Sequence, residues 1–289
     1  MRSDLSGLRV TIVGLGLIGG SLGLAFRKTG IRRITGVGRR EESWKRAVSL
    51  QACHVGTTSL EEGVRGANLV ILCAPARQIL ALLSAISPFL EKGAVVTDVG
   101  STKEAIVSAL NELPPTVQVM GGHPMAGKEL GGLENAEAGL FTGRPFVLCP
   151  LKRTSPGTVA LIEEIVRRIG ALPVIMDAAC HDRAVSRISH IPYVTSLALY
   201  NLALSGRLAG DPDFSLASSG FRSATRLARS PEEMSLDILL TNSDNIAAGI
   251  RRLEEYLHQF ASRIEKGDVS WLKDQILRAR TALDGEAED

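Results

Sequence analysis

A glycine-rich turn near the start of the chain is the feature that most constrains the fold. The segment Gly14-Leu15-Gly16-Leu17-Ile18-Gly19 follows a short β-branched run and opens a helix-like stretch. In a strand–turn–helix unit, the first glycine makes the tight turn, the second lets the backbone approach a pyrophosphate, and the third lets the helix pack closely on the strand. The N–H groups at the start of the helix then bind the anion. We therefore expect a dinucleotide site that contains Gly14, Gly16, Leu17, Ile18 and Gly19; the alternative is a packing turn without a ligand.

The first 177 residues alternate short apolar runs with helix-like segments. Helices are expected at 78–89 and 155–169, the second opened by Ser155-Pro156, an N-cap followed by proline at the first helical position. Continuous apolar strands joined by helices indicate a parallel sheet covered on both faces, which makes the chain an α/β protein with an N-terminal Rossmann-type domain. The predicted strands are 9–13, 34–37, 69–72, 94–98, 117–121, 145–148 and 173–176.

Strand signals end at Asp177, so we expect an NAD(P)-binding Rossmann domain at 1–177 and an all-helical substrate and dimerisation domain at 178–289. Pro192 is expected to kink a helix in this second part. The segment Ser230-Pro231-Glu232-Glu233 reads as a capping box that begins one long helix. Gly267-Asp268 is expected to end that helix and cap the next.

The long predicted helix carries two apolar series with a spacing of seven residues. Such a seam prefers a partner helix, either in the same chain or in a second subunit. We favour a homodimer formed through the helical domain. The two series are Leu239, Ile246, Leu253 and Phe260, and Ile250, Leu257 and Ile264.

Composition excludes several classes of partner. The 33 basic and 31 acidic side chains give a net charge of +2, without the basic field of a nucleic-acid or anionic-membrane binder. The uncharged stretch 10–26 is shorter than the roughly 20 residues that a membrane span needs. The first residues do not resemble a secretion signal, and four cysteines without CxxC spacing predict no metal site. We expect a cytoplasmic protein with neither nucleic-acid nor membrane partners.

The residues after the second strand bear on the choice of cofactor. NAD-binding sites usually place an acid about 20 residues beyond the glycine motif. Here the strand runs into Gly38-Arg39-Arg40, and Arg39 can form a bidentate pair with a 2′-phosphate. The alternative is that both arginines are solvated surface residues. We predict NADP in preference to NAD, with Gly38, Arg39 and Arg40 near the ribose.

Two neighbouring strand ends supply candidate catalytic groups. Ser101 follows the strand that ends at Asp98, and His123 follows the next strand within Gly121-Gly122-His123. Because the carboxyl ends of parallel strands meet at one edge, we expect both side chains at the cofactor cleft. His123 is predicted to be a hydrogen-bond acceptor or general base, with Ser101 as its orienting partner or, alternatively, as a helix cap. Lys103 is expected in the first turn of the following helix rather than in the chemistry.

The second half offers groups that suit an anionic substrate. Arg222 and Arg226 are four residues apart, which on a helix places them on one face. Guanidinium groups bind carboxylates, although surface ion pairs explain the spacing equally well. His181 and His190, taken alone, look like a helix-start cap and a buried structural histidine.

Five segments, in this order, resemble the prephenate/arogenate dehydrogenase family: GLGLIGGSL, DVGSTK, GGHPMAG, HDRAVSRISHIP and SSGFRSATR. The resemblance covers nearly the whole chain. It implies a Rossmann domain followed by a helical domain that dimerises. It also implies oxidative decarboxylation of a cyclohexadienyl substrate in tyrosine biosynthesis, with hydride transfer to a nicotinamide cofactor.

The resemblance also implies roles for individual residues. His123 is similar to the catalytic histidine that hydrogen-bonds the ring hydroxyl, and Ser101 to the serine that assists it beside the nicotinamide. Arg226 resembles the arginine that grips the ring carboxylate, and His190 a histidine that supports the site. Tyr193 stands where prephenate-using relatives often carry a second histidine, so the resemblance favours arogenate over prephenate.

Two other functions remain open from the residues. A β-hydroxyacid dehydrogenase or imine reductase has a similar architecture, but many of these enzymes use a lysine of the helical domain. This chain has no lysine between Asp177 and Lys266. A non-enzymatic NADP-binding sensor would need no base at His123.

Overall fold

A computed structural model describes residues 5–128, 130–208 and 213–286. The chain divides into two compact units, of which one ends at Ser243 and the other begins at Asp244. The boundary that we predicted at residue 177 follows the change from strands to helices and stays a prediction.

The first unit is built on an eight-stranded sheet with the order β3-β2-β1-β4-β5-β6-β7-β8. The order of the first six strands is that of a Rossmann fold, which confirms the predicted class. Seven strands lie where apolar runs predicted them, whereas β3 was missed because its three residues are half-exposed and include a glycine. The strands are β1 Arg9–Val13, β2 Arg33–Val37, β3 Val55–Thr57, β4 Leu69–Leu72, β5 Val95–Asp98, β6 Gln118–Pro124, β7 Pro145–Pro150 and β8 Leu172–Ile175.

The sheet is not parallel throughout, which corrects the prediction. Strand β7 runs antiparallel to β6, with His123 opposite Val147, and β8 is parallel to β7. A parallel connection needs a crossover, usually a helix. In the described part of the segment between β6 and β7, the only helical element is the 3₁₀ turn Leu133–Asn135, so the chain returns without one.

Helices cover both faces of the sheet, as predicted. Leu22 of α1 and Ile162 of α6 belong to the apolar cluster on one face, and Leu83 of α4 and Ile106 of α5 to the cluster on the other. Helix α6 begins as expected, because the Ser155 hydroxyl accepts a hydrogen bond from the Thr158 N–H. These helices are α1 Leu17–Lys28, α2 Glu41–Ser49, α3 Leu60–Val64, α4 Ala76–Ile86, α5 Glu104–Asn111 and α6 Pro156–Arg168.

Four further helices follow in the described part of the first unit. A π-helical turn, Ser186–His190, lies directly before α8, and Pro192, the residue predicted to kink the helix, is the second residue of α8. The predicted capping box is wrong: Pro231 precedes α10 without a side-chain cap, and the Ser230 hydroxyl donates to the Leu227 carbonyl. The helices are α7 Ala178–Val185, α8 Ile191–Leu208, α9 Ser219–Ala224 and α10 Glu232–Thr241.

The long helix predicted after residue 230 is interrupted at Asn242. Helix α10 ends at Thr241 and α11 spans Ser243–Glu265, because Asn242 has φ −128° and ψ 31°. Its buried side chain donates to the Asp182 carbonyl at 2.8 Å. Asparagine is a weak helix former whose amide competes with backbone hydrogen bonding, and here it has a tertiary partner.

Helices α11 and α12, Val269–Glu286, make up the second unit. Gly267 has φ +61° and Asp268 accepts from the Trp271 N–H, so the turn between the helices is as predicted. Phe260 of the first apolar series packs edge-on against Trp271 at 4.9 Å between ring centroids. Across the three described stretches, no helix is both long and apolar enough to cross a membrane.

Candidate active site

The glycine-rich turn joins β1 to α1, and each of its three glycines has a different structural role. Gly14 has φ +101°, and a Cβ there would lie 2.1 Å from the Cys73 carbonyl oxygen. A Cβ at Gly19 would lie 2.0 Å from the Gly14 carbonyl oxygen, so this glycine lets α1 pack against the turn. A Cβ at Gly16 would meet nothing within 4 Å. Gly14 and Gly19 therefore serve the fold, and Gly16 leaves room for a ligand.

The backbone around Gly16 suits a pyrophosphate. Gly16 is the N-cap of α1, and the Gly20 N–H makes its hydrogen bond to the Gly16 carbonyl. The N–H groups of Leu17, Ile18 and Gly19 belong to the first turn, whose donors have no acceptor within a helix. Their partial positive charge favours an anion. These residues fit the predicted cofactor.

The residues predicted to lie near the cofactor ribose follow β2, which pairs with β1 next to the glycine turn. Arg39 and Arg40 are exposed, and α2 begins directly after them with Glu41, which is ion-paired to Lys45. Gly38 is buried instead: a Cβ there would lie 3.2 Å from the Ser43 Cβ, at the start of α2. Gly38 therefore has a packing role, and the two arginines are the side chains free to meet a ligand.

His123 and Ser101 lie at the carboxyl edge of the sheet, on adjacent strands. Strand β6 continues through His123 to Pro124, so the histidine is held by strand pairing and not by the loop after it. Ser101 follows β5, and both side chains are half-buried. The His123 Nδ1 atom lies 2.8 Å from the Nε2 atom of His181 on α7. His181, and not Ser101, is thus the hydrogen-bond partner of His123 in the described part of the chain.

His181 is held in turn by the residue after it. Its Nδ1 atom lies 2.7 Å from Oδ1 of Asp182, and both side chains are 1% exposed. The Asp182 carboxylate also accepts hydrogen bonds from the N–H groups of Lys103, at 2.7 Å, and Glu104, at 2.9 Å, at the start of α5. Sequence reasoning missed this arrangement; the adjacent His and Asp were its only local signal.

Lys103 lies at the start of α5, as its N-cap, and forms a fully buried ion pair with Asp98 that the sequence did not predict. Asp98 also accepts hydrogen bonds from the Gly100 N–H at 2.7 Å and the Gly122 N–H at 3.0 Å. The carboxylate therefore ties the loop that carries Ser101 to the strand that carries His123.

The electrostatics keep His123 and His190 neutral. Burial, with a contribution from the Lys103 cation, holds the pKa of His123 well below its ordinary value. Burial also lowers the pKa of His190 to about 4, against an opposing effect of Asp182. Neutral imidazoles have an unprotonated nitrogen at pH 7, so His123 is able to accept a proton.

His190 joins the same buried cluster from the π-helical turn. Its Nδ1 atom lies 3.2 Å from Nδ2 of Asn242, the amide that also donates to the Asp182 carbonyl. Tyr193 is half-buried in the first turn of α8. The structure therefore brings His123, His181, Asp182, His190 and Asn242 together.

The two arginines of the second half do not share one α-helical face, contrary to the prediction. Helix α9 contains Arg222 and ends at Ala224, and Arg226 begins a 3₁₀ turn that runs to Arg229. The turn packs on α8, where the Ala228 N–H donates to the Ser196 hydroxyl. Arg222 and Arg226 are both exposed.

A Rossmann sheet with a glycine turn after β1 and an imidazole at its carboxyl edge is the arrangement expected of a dehydrogenase that uses a nicotinamide dinucleotide. Comparison with family models agrees. Residues 22–175 match the prephenate dehydrogenase nucleotide-binding domain, and residues 177–277 match the prephenate dehydrogenase dimerization domain. The chain belongs to the prephenate dehydrogenase family.

Similar proteins cover nearly the whole chain. The prephenate dehydrogenase of Bacillus subtilis (strain 168) is 32% identical over 282 residues, which are 96% of this chain and 75% of that protein. The crystal structure of Synechocystis arogenate dehydrogenase is 30% identical with a TM-score of 0.84, and covers 96% of this chain and 99% of its own. That of A. aeolicus prephenate dehydrogenase in complex with hydroxyphenyl propionate and NAD+ is 29% identical with a TM-score of 0.89, at 97% and 100% coverage.

Proposed function

We propose that this dehydrogenase oxidatively decarboxylates arogenate in preference to prephenate, with NADP as its preferred hydride acceptor and NAD as a weaker one. The observation that carries the proposal is the neutral His123 imidazole at the carboxyl edge of a dinucleotide-binding sheet. The similar proteins named above include both an arogenate and a prephenate dehydrogenase. The substrate preference therefore rests on Tyr193, and the cofactor preference on Arg39.

His123 acts as the general base of the proposed reaction. The bound nicotinamide supplies the acceptor for the hydride that leaves the hydroxyl-bearing ring carbon. His123 takes the hydroxyl proton as that C–H bond breaks, and the C–C bond to the ring carboxylate then breaks with release of carbon dioxide. The electron pair of that bond enters the ring, which becomes aromatic, and the proton returns from His123 to the ring oxygen. Ser101 assists at the hydroxyl.

Substrate binding is assigned to side chains of the helical part. Arg226 binds the ring carboxylate, because a guanidinium group can donate two parallel hydrogen bonds to the two carboxylate oxygens. Arg222 adds positive charge one turn earlier, and His190 supports the site from its buried position. Tyr193 replaces the histidine that suits a pyruvyl side chain and so favours the amino-acid side chain of arogenate.

A crossed assay tests the function. The purified protein is given arogenate or prephenate with NADP or NAD, and the absorbance of the reduced nicotinamide is followed. We expect the highest kcat/KM for arogenate with NADP. A higher kcat/KM for prephenate overturns the substrate preference, and no reduction in any of the four mixtures overturns the activity itself.

His123→Asn tests the base. General-base catalysis contributes about 10²–10⁴-fold, so we expect kcat to fall within that range while KM for the substrate stays close to wild type. His258→Asn, an exposed histidine on α11, is the matched control and should keep full activity. Unchanged turnover in His123→Asn would remove this residue from the mechanism.

Arg39→Asp tests the choice of cofactor. A lost charge-assisted hydrogen bond costs about 1.5–3 kcal/mol, so the ratio of kcat/KM for NADP to that for NAD should fall at least about tenfold. Arg33→Asp makes the same charge change at the opposite end of β2 and should leave the ratio unaltered. An unaltered ratio in Arg39→Asp contradicts the proposed 2′-phosphate contact.

A further inference from the structure

We propose that His181, held by Asp182, is a positioning residue that keeps His123 in the tautomer whose Nε2 accepts the substrate proton. This inference rests on the proposed role of His123 as a base. His181 does not act on the substrate; it acts through the ring of His123.

Asp182 is the fixed end of the chain of hydrogen bonds. Its two oxygens accept from His181 Nδ1 and from the N–H groups of Lys103 and Glu104. The two N–H groups belong to the start of α5, whose dipole favours a negative charge there. An ionised carboxylate only accepts hydrogen bonds, so the proton between Asp182 and His181 lies on the His181 Nδ1 atom.

The position of that proton determines the next hydrogen bond. A neutral imidazole has one N–H donor and one acceptor nitrogen, so His181 presents an unprotonated Nε2 to His123. The His123 Nδ1 atom, 2.8 Å away, must then carry the proton. Its Nε2 atom is left with a free electron pair, which is what a general base requires.

Burial protects the hydrogen bond between the two histidines. His181 is 1% exposed, so water does not compete for its Nε2 atom. The perpendicular rings, with centroids 5.0 Å apart and an interplanar angle of 76°, point the edge of one imidazole at the other.

Two carboxylates lie among the charged or titratable groups around His123, which are Lys103, Asp98, His181, Asp182 and His190. Asp98 is ion-paired with Lys103. Asp182 is the carboxylate that is joined to His123 by hydrogen bonds, through the ring of His181.

Two amide substitutions of His181 distinguish its proposed role in positioning His123 from a role in packing alone. In His181→Gln the amide oxygen can occupy the position of Nε2 and still accept from His123, whereas in His181→Asn the shorter amide reaches only the position of Nδ1. Asp182 is left intact because it also caps α5. His258→Asn serves as the exposed control.

We expect kcat of His181→Asn to fall about 10²-fold, and kcat of His181→Gln to stay within about tenfold of wild type. KM and the affinity for the dinucleotide should change little in both. Equal kcat losses in both variants, or wild-type kcat in His181→Asn, would overturn the proposal.

A readout independent of turnover is the ¹⁵N spectrum of histidine-labelled protein, with His123 assigned from the His123→Asn variant. We expect a protonated Nδ1 and an unprotonated Nε2 for His123 in the wild type and in His181→Gln, and mixed tautomers in His181→Asn. A protonated Nε2 in the wild type overturns the inference. If no substrate is turned over, the proposed function fails, and this spectrum alone decides the role of His181.

Discussion

Lys103 and His181 illustrate how burial decides what a residue does. In the sequence, Lys103 is one more basic residue at the start of a helix. In the fold, both it and Asp98 are fully buried, and their ion pair lies beside the strand that carries His123. Removing one partner of such a pair leaves an uncompensated charge, which is far more costly than losing an exposed pair.

Lys103→Met should therefore lower the free energy of unfolding by about 3–5 kcal/mol, measured by urea denaturation at pH 7. The same substitution at Lys45, whose ion pair with Glu41 is exposed, should change it little. The Lys103 cation lowers the pKa of His123, so the substitution should raise that pKa. As the pH is lowered, the activity of the variant should therefore begin to fall at a higher pH than the activity of the wild type. Equal stability of the two lysine variants would contradict this account.

At the scale of elements, some local patterns predicted the structure: helix α6 starts at its predicted cap, and the turn after α11 has its predicted glycine. The capping box expected at residues 230–233 did not form, because the Ser230 hydroxyl donates to the Leu227 carbonyl. Another departure from prediction was caused by a distant partner. Asn242 ends α10 while donating to Asp182, 60 residues away in the sequence.

Two glycines of the turn between β1 and α1 allow the packing of the helix and the binding of the dinucleotide to be tested separately. Gly19→Ala should destabilise the protein by about 1–3 kcal/mol, because its Cβ would meet the backbone of Gly14. Gly16→Ala should leave the melting temperature nearly unchanged, since its Cβ would enter open space, and should weaken dinucleotide binding at least about tenfold by obstructing the phosphate. Thermal unfolding and fluorescence titration with NADP measure the two effects. A stable Gly19→Ala variant, or full affinity in Gly16→Ala, would refute the assignment.

At the scale of the whole molecule, the two apolar series with a spacing of seven residues differ in their exposure. Ile246 of the first is buried and Phe260 packs on Trp271, so this series contributes to packing within the chain. In the second, Leu257 and Ile264 are 60% and 63% exposed. Large apolar side chains exposed seven residues apart on one helix favour a partner helix, and the match to a dimerization domain agrees with a second subunit as the partner.

We accordingly expect a dimer in sedimentation experiments. The double variant Leu257→Glu with Ile264→Glu should shift the protein towards monomers, because charged side chains would be placed in an apolar interface. His258→Glu adds a charge on the same helix outside both series and should leave the dimer intact. A monomeric wild type, or a double variant that dimerises as well as the control, would exclude this surface.

Features that depend on near neighbours could be predicted from spacing and residue type: the glycine turn, the alternation of strands and helices, the cap of α6 and the place of His123 at a strand end. Packing of distant segments sets the direction of β7, the break at Asn242 and the hydrogen bond between His123 and His181. That bond joins residues 58 positions apart, and no local pattern encodes it. Whether a polar side chain is solvated or part of a buried network depends on which distant segments surround it, and that is settled only when the chain packs.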